Sequence, residues 1–559
     1  LATNRKTFTH SSMSKYLITN FIAFILFTVL SSCTTTPQAD LIVTNAKIYT
    51  VDEANPMAEA IAVRDGKIVA LGTSAEIEKL KGDQTEIIDA EGKLVLPGFV
   101  DSHTHAFWGG QRLTEINLNG SETIEELQSK LSNWIKEKQI PPATPIWGVG
   151  PFPSAELFGG VGWPTKEILD EVSPENPVVL SRGGGHAYWL NSLALRQSGI
   201  IKGTPQREGG EIVFDEKTGE PTGILKETAQ DIATDAIPHP IDMEAIFEMA
   251  QQHANALGLT SITIMPLTTG QDGLSALQKM KAKDKLTIRT YLGHAPIQLD
   301  SLIAAGAKTS DGDDMIQTGP IKIFMDGSLG ALSAFMYEPF ADNPGNSGIG
   351  RYEKGDLNAL VQKAHDNNFQ VAIHGIGDKA VTWALDAIEE AQKNSGNKNL
   401  RHRIEHNTVN ILPDTKRFGE LGVVASMQPH ITGNQEYRER RLGKERGHRV
   451  DMWKTLLENN AMLAWSTDWP VSSLNPIDII YDIVTRYEEQ RLPMEDAIKY
   501  YTYGSSYASH SEKTKGTLEI GKLGDMVILS QDLLTVPVED IKKTEVLYTI
   551  VGGKVVYKK

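Results

Sequence analysis

LVLPGFVDSHTH, residues 94–105, is an apolar run that ends in two histidines two positions apart. In an extended strand residues i and i+2 point the same way, so His103 and His105 can present both imidazoles to one ion. An HxH pair alone is a weak signal, because two unrelated polar residues near a turn look the same. The rest of the chain strengthens it. Lys322 in IKIFMDGS, His374 in VAIHGIGD, His406 in RIEHN and Asp468 in AWSTDWP also sit at or just after the ends of short apolar runs. A parallel barrel gathers the carboxyl ends of its strands on one face, where residues hundreds of positions apart can meet.

Eight strand candidates carry these groups, most followed by helix-like segments: 94–103, 260–266, 286–294, 320–326, 369–375, 400–406, 422–430 and 461–468. Alternating strands and helices imply a parallel sheet, and eight units predict an α/β fold closed as a (β/α)8 TIM barrel. We place this domain at 97–510, with a large insertion after the first strand at about 107–259, far longer than one βα connection needs. The insertion leaves at the carboxyl end of the strand and is expected to overhang the mouth. The flanks, 41–96 and 511–559, read as short alternating strands around Asp65-Gly66, Glu91-Gly92 and Gly552-Gly553 turns. Neither flank can cover both faces of a sheet, so the two are expected to form one small β-sandwich together.

The chain has 559 residues, more than one core organises. Hydrophobic residues are 40% and charged residues 23%, the balance of a folded soluble protein. Net charge is −16, from 71 acidic and 55 basic residues, which argues against nucleic acid as a partner. The single cysteine, Cys33, rules out an internal disulfide framework. Residues 1–12 read as an upstream extension before Met13, and 13–32 as a signal peptide whose apolar part runs from Leu17 to Leu30. That part is shorter than the roughly 20 residues a spanning helix needs. It ends in Leu30-Ser31-Ser32-Cys33, which resembles a bacterial lipobox, with an ordinary secretory signal as the alternative. On the lipobox reading Cys33 is lipidated, 33–40 is a tether, and the protein is a membrane-anchored lipoprotein of the cell envelope.

Each ligand candidate has a plainer reading. His374 and His406 can be hydrogen-bonded core histidines. Asp468 can cap a helix, and Pro470 suits that. Yet the eighth strand neighbours the first in a closed barrel, so Asp468 lands beside His103 and His105, able to bind a metal and to take a proton from water. Lys322 is either a structural partner of Asp326 or, once neutral, an amine that adds carbon dioxide to form a bridging carbamate. Asp326 can also cap the turn that follows it. Glu405 is expected to face away from His406 by strand parity, and His402 to face the core or support the site. His430 and His294, at strand ends, are candidates to touch substrate. Trp108, Trp147, Trp163, Trp189 and Trp469 are read mainly as packing residues, with an apolar pocket lining as the alternative.

Taken together, LPGFVDSHTH, GHAYWLNSLAL, IKIFMDGSLG, IHGIGDKA, HRIEHN, VVASMQPH, STDWPV and GTLEIGKLGDMVIL resemble the amidohydrolase superfamily, most closely the YtcJ-like amidohydrolase 3 group that includes N-substituted formamide deformylases. The resemblance spans about Leu41 to Lys559. It implies a divalent metal pair, usually zinc. His103, His105 and Asp468 would hold one ion, His374 and His406 the other, and a carboxylated Lys322 would bridge them. It implies hydrolysis of a non-peptide C–N bond by hydroxide activated at the metal, with Asp468 as general acid and base. His186 would contact substrate or polarise its carbonyl, although Gly184-Gly185 stands where relatives often carry Asp-Gly. Alternatives are a mononuclear deaminase on the same fold, which would lack the bridging lysine, and a small-molecule-binding lipoprotein without turnover. The partners expected are a small-molecule substrate, a membrane reached through the lipid anchor and a second copy in a homodimer.

Overall fold

Eight parallel strands form one sheet that curls until its edges meet. They are β1 (Phe99–Thr104), β2 (Leu259–Ile264), β3 (Arg289–His294), β4 (Ile316–Phe324), β5 (Val371–Gly375), β6 (Arg403–His406), β7 (Val424–Met427) and β8 (Met462–Trp465). The computed structural model describes residues 38–152, 154, 157–158, 162–182, 187–239, 242–266 and 273–559. Neighbouring strands pair in parallel from Phe99↔Leu259 round to Val424↔Met462. Closure comes beyond the last strand. Thr104 bridges Trp469 in parallel, the His105 amide donates to Trp469 O at 2.7 Å, and the Asp468 amide donates to His103 O at 2.9 Å. The barrel is therefore sewn shut by the backbone of its own candidate ligands.

The expected (β/α)8 architecture is present, with one difference at its start. The run 94–103 is two strands in two sheets. Leu94–Pro97 pairs antiparallel with Met526–Leu529, while β1 begins at Phe99. Gly98 is the joint, where a Cβ would lie 2.2 Å from the Thr260 side chain, so the crossing has room for glycine alone. Both flanks build the sheet that contains Leu94–Pro97, in the order 554–558, 546–551, 526–529, 94–97, 47–49, 57–58. It packs on a second sheet, of strands 67–72, 60–64, 41–44 and 86–89, through buried Leu41, Val43, Ile61, Val95, Ile528 and Ile550. Asp65 and Gly66 take the positive φ values, 51° and 74°, that their tight turn requires.

Helices cover the barrel by ordinary amphipathic logic. In Asp378–Ser395 the residues Ala380, Val381, Ala384, Leu385, Ile388 and Ala391 recur at helical spacing and are buried, and Gly396 ends the helix at φ 72°. Below the barrel, Asp525 from the sandwich accepts from Arg289 Nε at 2.6 Å and Nη2 at 2.8 Å, which fills the amino end with a buried ion pair. The insertion leaves through helix Ala106–Thr114 and returns through Met243–Ala256, with a six-stranded mixed sheet between them. Among the described residues no helix is long and apolar enough to cross a membrane. The segments read as leader and tether up to residue 37, with Cys33, and His186 lie outside the described residues.

Candidate metal centre

His103 and His105 end β1 and begin the turn after it, Lys322 lies in β4, and His374 lies near the end of β5. His406 ends β6 with φ 69°, and Asp468 follows β8 with φ 58°. Both of the last two have left the extended conformation, so each side chain is aimed by a turn. The six groups meet at the carboxyl end of the barrel. One nitrogen each of His103 and His406 and one oxygen of Asp468 lie within 4.8 Å of one another. His103 Nε2 and His105 Nε2 are 3.3 and 3.2 Å from Asp468 Oδ1. The His374 and His406 rings are 4.2 Å apart, and Lys322 Nζ is 3.2 Å from His103 Nε2.

The far nitrogens explain why this arrangement wants a cation. His103 Nδ1 sits 2.7 Å from Glu405 Oε2, His105 Nδ1 is 3.0 Å from Met265 O, and His374 Nε2 is 2.9 Å from Gly327 O. Carbonyl and carboxylate oxygens only accept, so each ring donates there, and a neutral ring then turns a lone pair inward. Burial holds His103, His374 and His406 far below the ordinary histidine value, and the positive charge of neighbours, Lys322 among them, pushes the same way. The inner nitrogens of His103 and His105 face one Asp468 carboxylate oxygen at 3.3 and 3.2 Å. Asp468 Oδ1 and His374 Nδ1 have no hydrogen-bond partner among the described residues. Burial pushes the Asp468 carboxyl up, but His103, His105 and Lys322 outweigh it and hold the group below the usual carboxylate range. Burial brings Lys322 down to about 8, against the pull of Glu405 and Asp468. Imidazole nitrogens and a carboxylate crowded around a lysine that burial has lowered fit a divalent metal.

Several expectations change. Glu405, set aside on parity, is the acceptor for His103. It also takes Arg403 Nε at 2.7 Å, and both side chains are fully buried. Parity failed because His406 turns out of the strand at its positive φ, so Glu405 and His406 both reach the centre. The signal was in the sequence, as an acid inside a buried strand two residues from Arg403. Asp326 does not pair with Lys322. It gathers the amides of Phe335, Ile376 and Gly377, tying two loops across the mouth. Asp468 caps no helix, since the next one starts at Pro476 behind Asn475. Asp101, not singled out in the sequence, accepts from the His103 amide and from Thr467 and Tyr501, bracing β1 against β8. His402 faces the helices, 2.8 Å from His365. His430 bonds Asp482 at 2.7 Å, and His294 lines a separate cavity of about 530 Å³ with Leu274, Gln278 and Asp311. Trp108 lines a cavity of about 120 Å³ beside His105, with Phe107, Met265 and Leu292, whereas Trp189 is core.

Residues 86–557 match the family described as Amidohydro_3, Amidohydrolase family. The chain is 34% identical to the protein LONG AFTER FAR-RED 3 of Arabidopsis thaliana, covering 93% of this chain and 92% of that one. It is 31% identical to the putative amidohydrolase YtcJ of Bacillus subtilis, over 92% and 98% of the two chains. Identity to the N-substituted formamide deformylase of Arthrobacter pascens is 26%, over 94% and 99%. An uncharacterized metal-dependent hydrolase from Pyrococcus furiosus superposes with a TM-score of 0.73 at 30% identity, covering 89% of this chain and 100% of that one.

Proposed function

The chain belongs to the Amidohydrolase family, and from that premise we propose that it hydrolyses a carbon–nitrogen bond other than a peptide bond in a small amide, formamide or cyclic amide. One observation carries the reading: His103 and His105, their outer N–H groups committed elsewhere, turn their inner nitrogens onto the Asp468 carboxylate, and His103, His406 and Asp468 offer three buried ligand atoms within 4.8 Å of one another. The donor set suits two zinc ions: His103, His105 and Asp468 would hold one, His374 and His406 would hold the other, and Lys322, if carboxylated, would supply a further oxygen donor. Metal ions held there lower the pKa of water toward about 7 and polarise a carbonyl oxygen.

The chain's own groups do the rest. Asp468 Oδ1, 3.2 Å from His105 Nε2 and without a hydrogen-bond partner among the described residues, is placed to take a proton from water and pass it to the leaving nitrogen. Glu405 and Met265 O hold the two imidazoles of the HxH pair in one tautomer. The cavity beside His105, walled by Phe107, Trp108 and Met265, excludes water from an apolar substituent. Contact of His186 and His430 with substrate belongs to this proposal, as do lipidation at Cys33, envelope localisation and a homodimer.

The test is elemental analysis of purified protein with a hydrolysis screen of formamides, N-acyl amino acids and cyclic amides. About two transition-metal ions per chain and release of amine support the proposal. Metal-free protein that turns over none of these compounds refutes it.

A further inference from the structure

We propose that Leu292 sets the size of the apolar group accepted beside the scissile bond, which narrows the substrate class to amides carrying one compact group, a single ring or a short alkyl chain; this rests on the hydrolase reading above. The inner cavity, of about 120 Å³, has the ligand candidate His105 in its wall, together with Met265, whose carbonyl accepts from His105 Nδ1 at 3.0 Å. Phe107 and Trp108 from the helix after β1, Ile264 at the end of β2 and Leu292 on β3 make the rest of that wall largely apolar. An acyl or amine substituent next to a carbonyl held at the metal centre has this space beside it.

The outer cavity, of about 530 Å³, shares one residue with the inner one. Strand register shows how the two are arranged. Leu292 pairs with Ile264 of β2 on one side and with Thr318 of β4 on the other. Residues paired across parallel strands point to the same face of the sheet. Ile264 lines the inner cavity, Thr318 lines the outer, and among the described residues Leu292 alone lines both. The helix Leu274–Ala282 covers the outer cavity with Leu274 and starts against the inner one, since a Cβ at Gly273 would lie 2.0 Å from the Phe107 ring. Leu292, itself buried, is therefore the partition between them.

An apolar cavity of about 150 Å³ holds one benzene. The inner cavity, at about 120 Å³, takes a group of that order and ends at the Leu292 side chain. Behind it, Leu274, Ala282 and Ile316 give the outer cavity enough apolar surface to receive a longer chain once the partition is cut back. One methylene in an apolar pocket changes selectivity by about 10- to 200-fold, so a single leucine can set the limit.

The experiment measures calorimetric binding of aceto-, butano- and octanohydroxamic acid to purified holoenzyme as wild type, L292V and L292A. The hydroxamate head reads the metal centre, the chain reads the cavity, and turnover of N-butylformamide reads the reaction separately. The wild type should bind the butano compound about tenfold more tightly than the octano compound, and L292A should bind the octano compound about tenfold more tightly than the wild type does. The aceto compound should bind all three proteins equally, and L292V, the milder core change, should shift the octano affinity in the same direction. Octano affinity equal in wild type, L292V and L292A, or octano bound as tightly as butano by the wild type, overturns the size limit and leaves the hydrolase reading standing. No hydroxamate binding to any of the three proteins overturns both. The chain-length shift without turnover of N-butylformamide supports the size limit and counts against the reaction.

Discussion

Replacing Glu405 by Gln separates the metal centre from the barrel that carries it. The carboxylate has two short contacts, 2.7 Å to His103 Nδ1 and 2.7 Å to Arg403 Nε, and neither side chain of the Glu405–Arg403 pair is exposed. In Glu405→Gln the amide oxygen can still accept one N–H, but the second acceptor and the charge are lost. For His103 the loss is a weaker partner on the outer nitrogen. Such changes lower metal affinity about 10- to 100-fold, or about 1.4–2.8 kcal/mol. For Arg403 the loss is the partner of a fully buried cation, which costs about 3–5 kcal/mol of folding stability. Arg403 Nη2 keeps its bonds to Ser102 O and Ser426 Oγ, so the lower end of that range is expected. The assay is competition for zinc against a chromogenic chelator, with urea unfolding of the metal-free protein beside it. A metal affinity equal to wild type would refute the role assigned to Glu405. Lost affinity with unchanged metal-free stability would refute the Arg403 part alone.

Three further outcomes follow from the same geometry. Asp468→Asn should lower turnover by about 10²–10⁴-fold while circular dichroism is unchanged, and near-normal rates would remove its proton-transfer role. His430 is raised above the ordinary histidine value by its hydrogen bond to Asp482, so the pair stabilises the fold below the unfolded histidine value and ceases to as pH rises through the higher folded value. The melting-temperature gap between wild type and His430→Gln should thus be widest below about pH 6 and close in alkaline buffer. It will be small, because the His430 side chain is 39% exposed; a gap that widens with pH contradicts the pairing. Cys33→Ser should move the protein from the membrane to the soluble fraction, and unchanged fractionation would exclude a lipid anchor at that residue.

Much of the centre was legible because strand periodicity and topology are local rules applied eight times. Apolar runs ending in His103, His374 and His406 needed only a parallel barrel to become neighbours, and closure beside Thr104 delivered Asp468. What stayed hidden is where the chain leaves regular geometry. Parity predicts side-chain direction only while φ stays extended, and His406 and Asp468 do not keep it. Gly98, read as interior to one strand, is the point where the chain changes sheets. By itself the sequence determined which elements form and which residue types stand at their ends, since hydrophobic period and turn chemistry are written in neighbours. Only the tertiary structure decided which nitrogen of each ring faces inward and that Glu405 steers His103. Those outcomes depend on partners up to 302 positions apart in the chain, and no local pattern encodes such contacts.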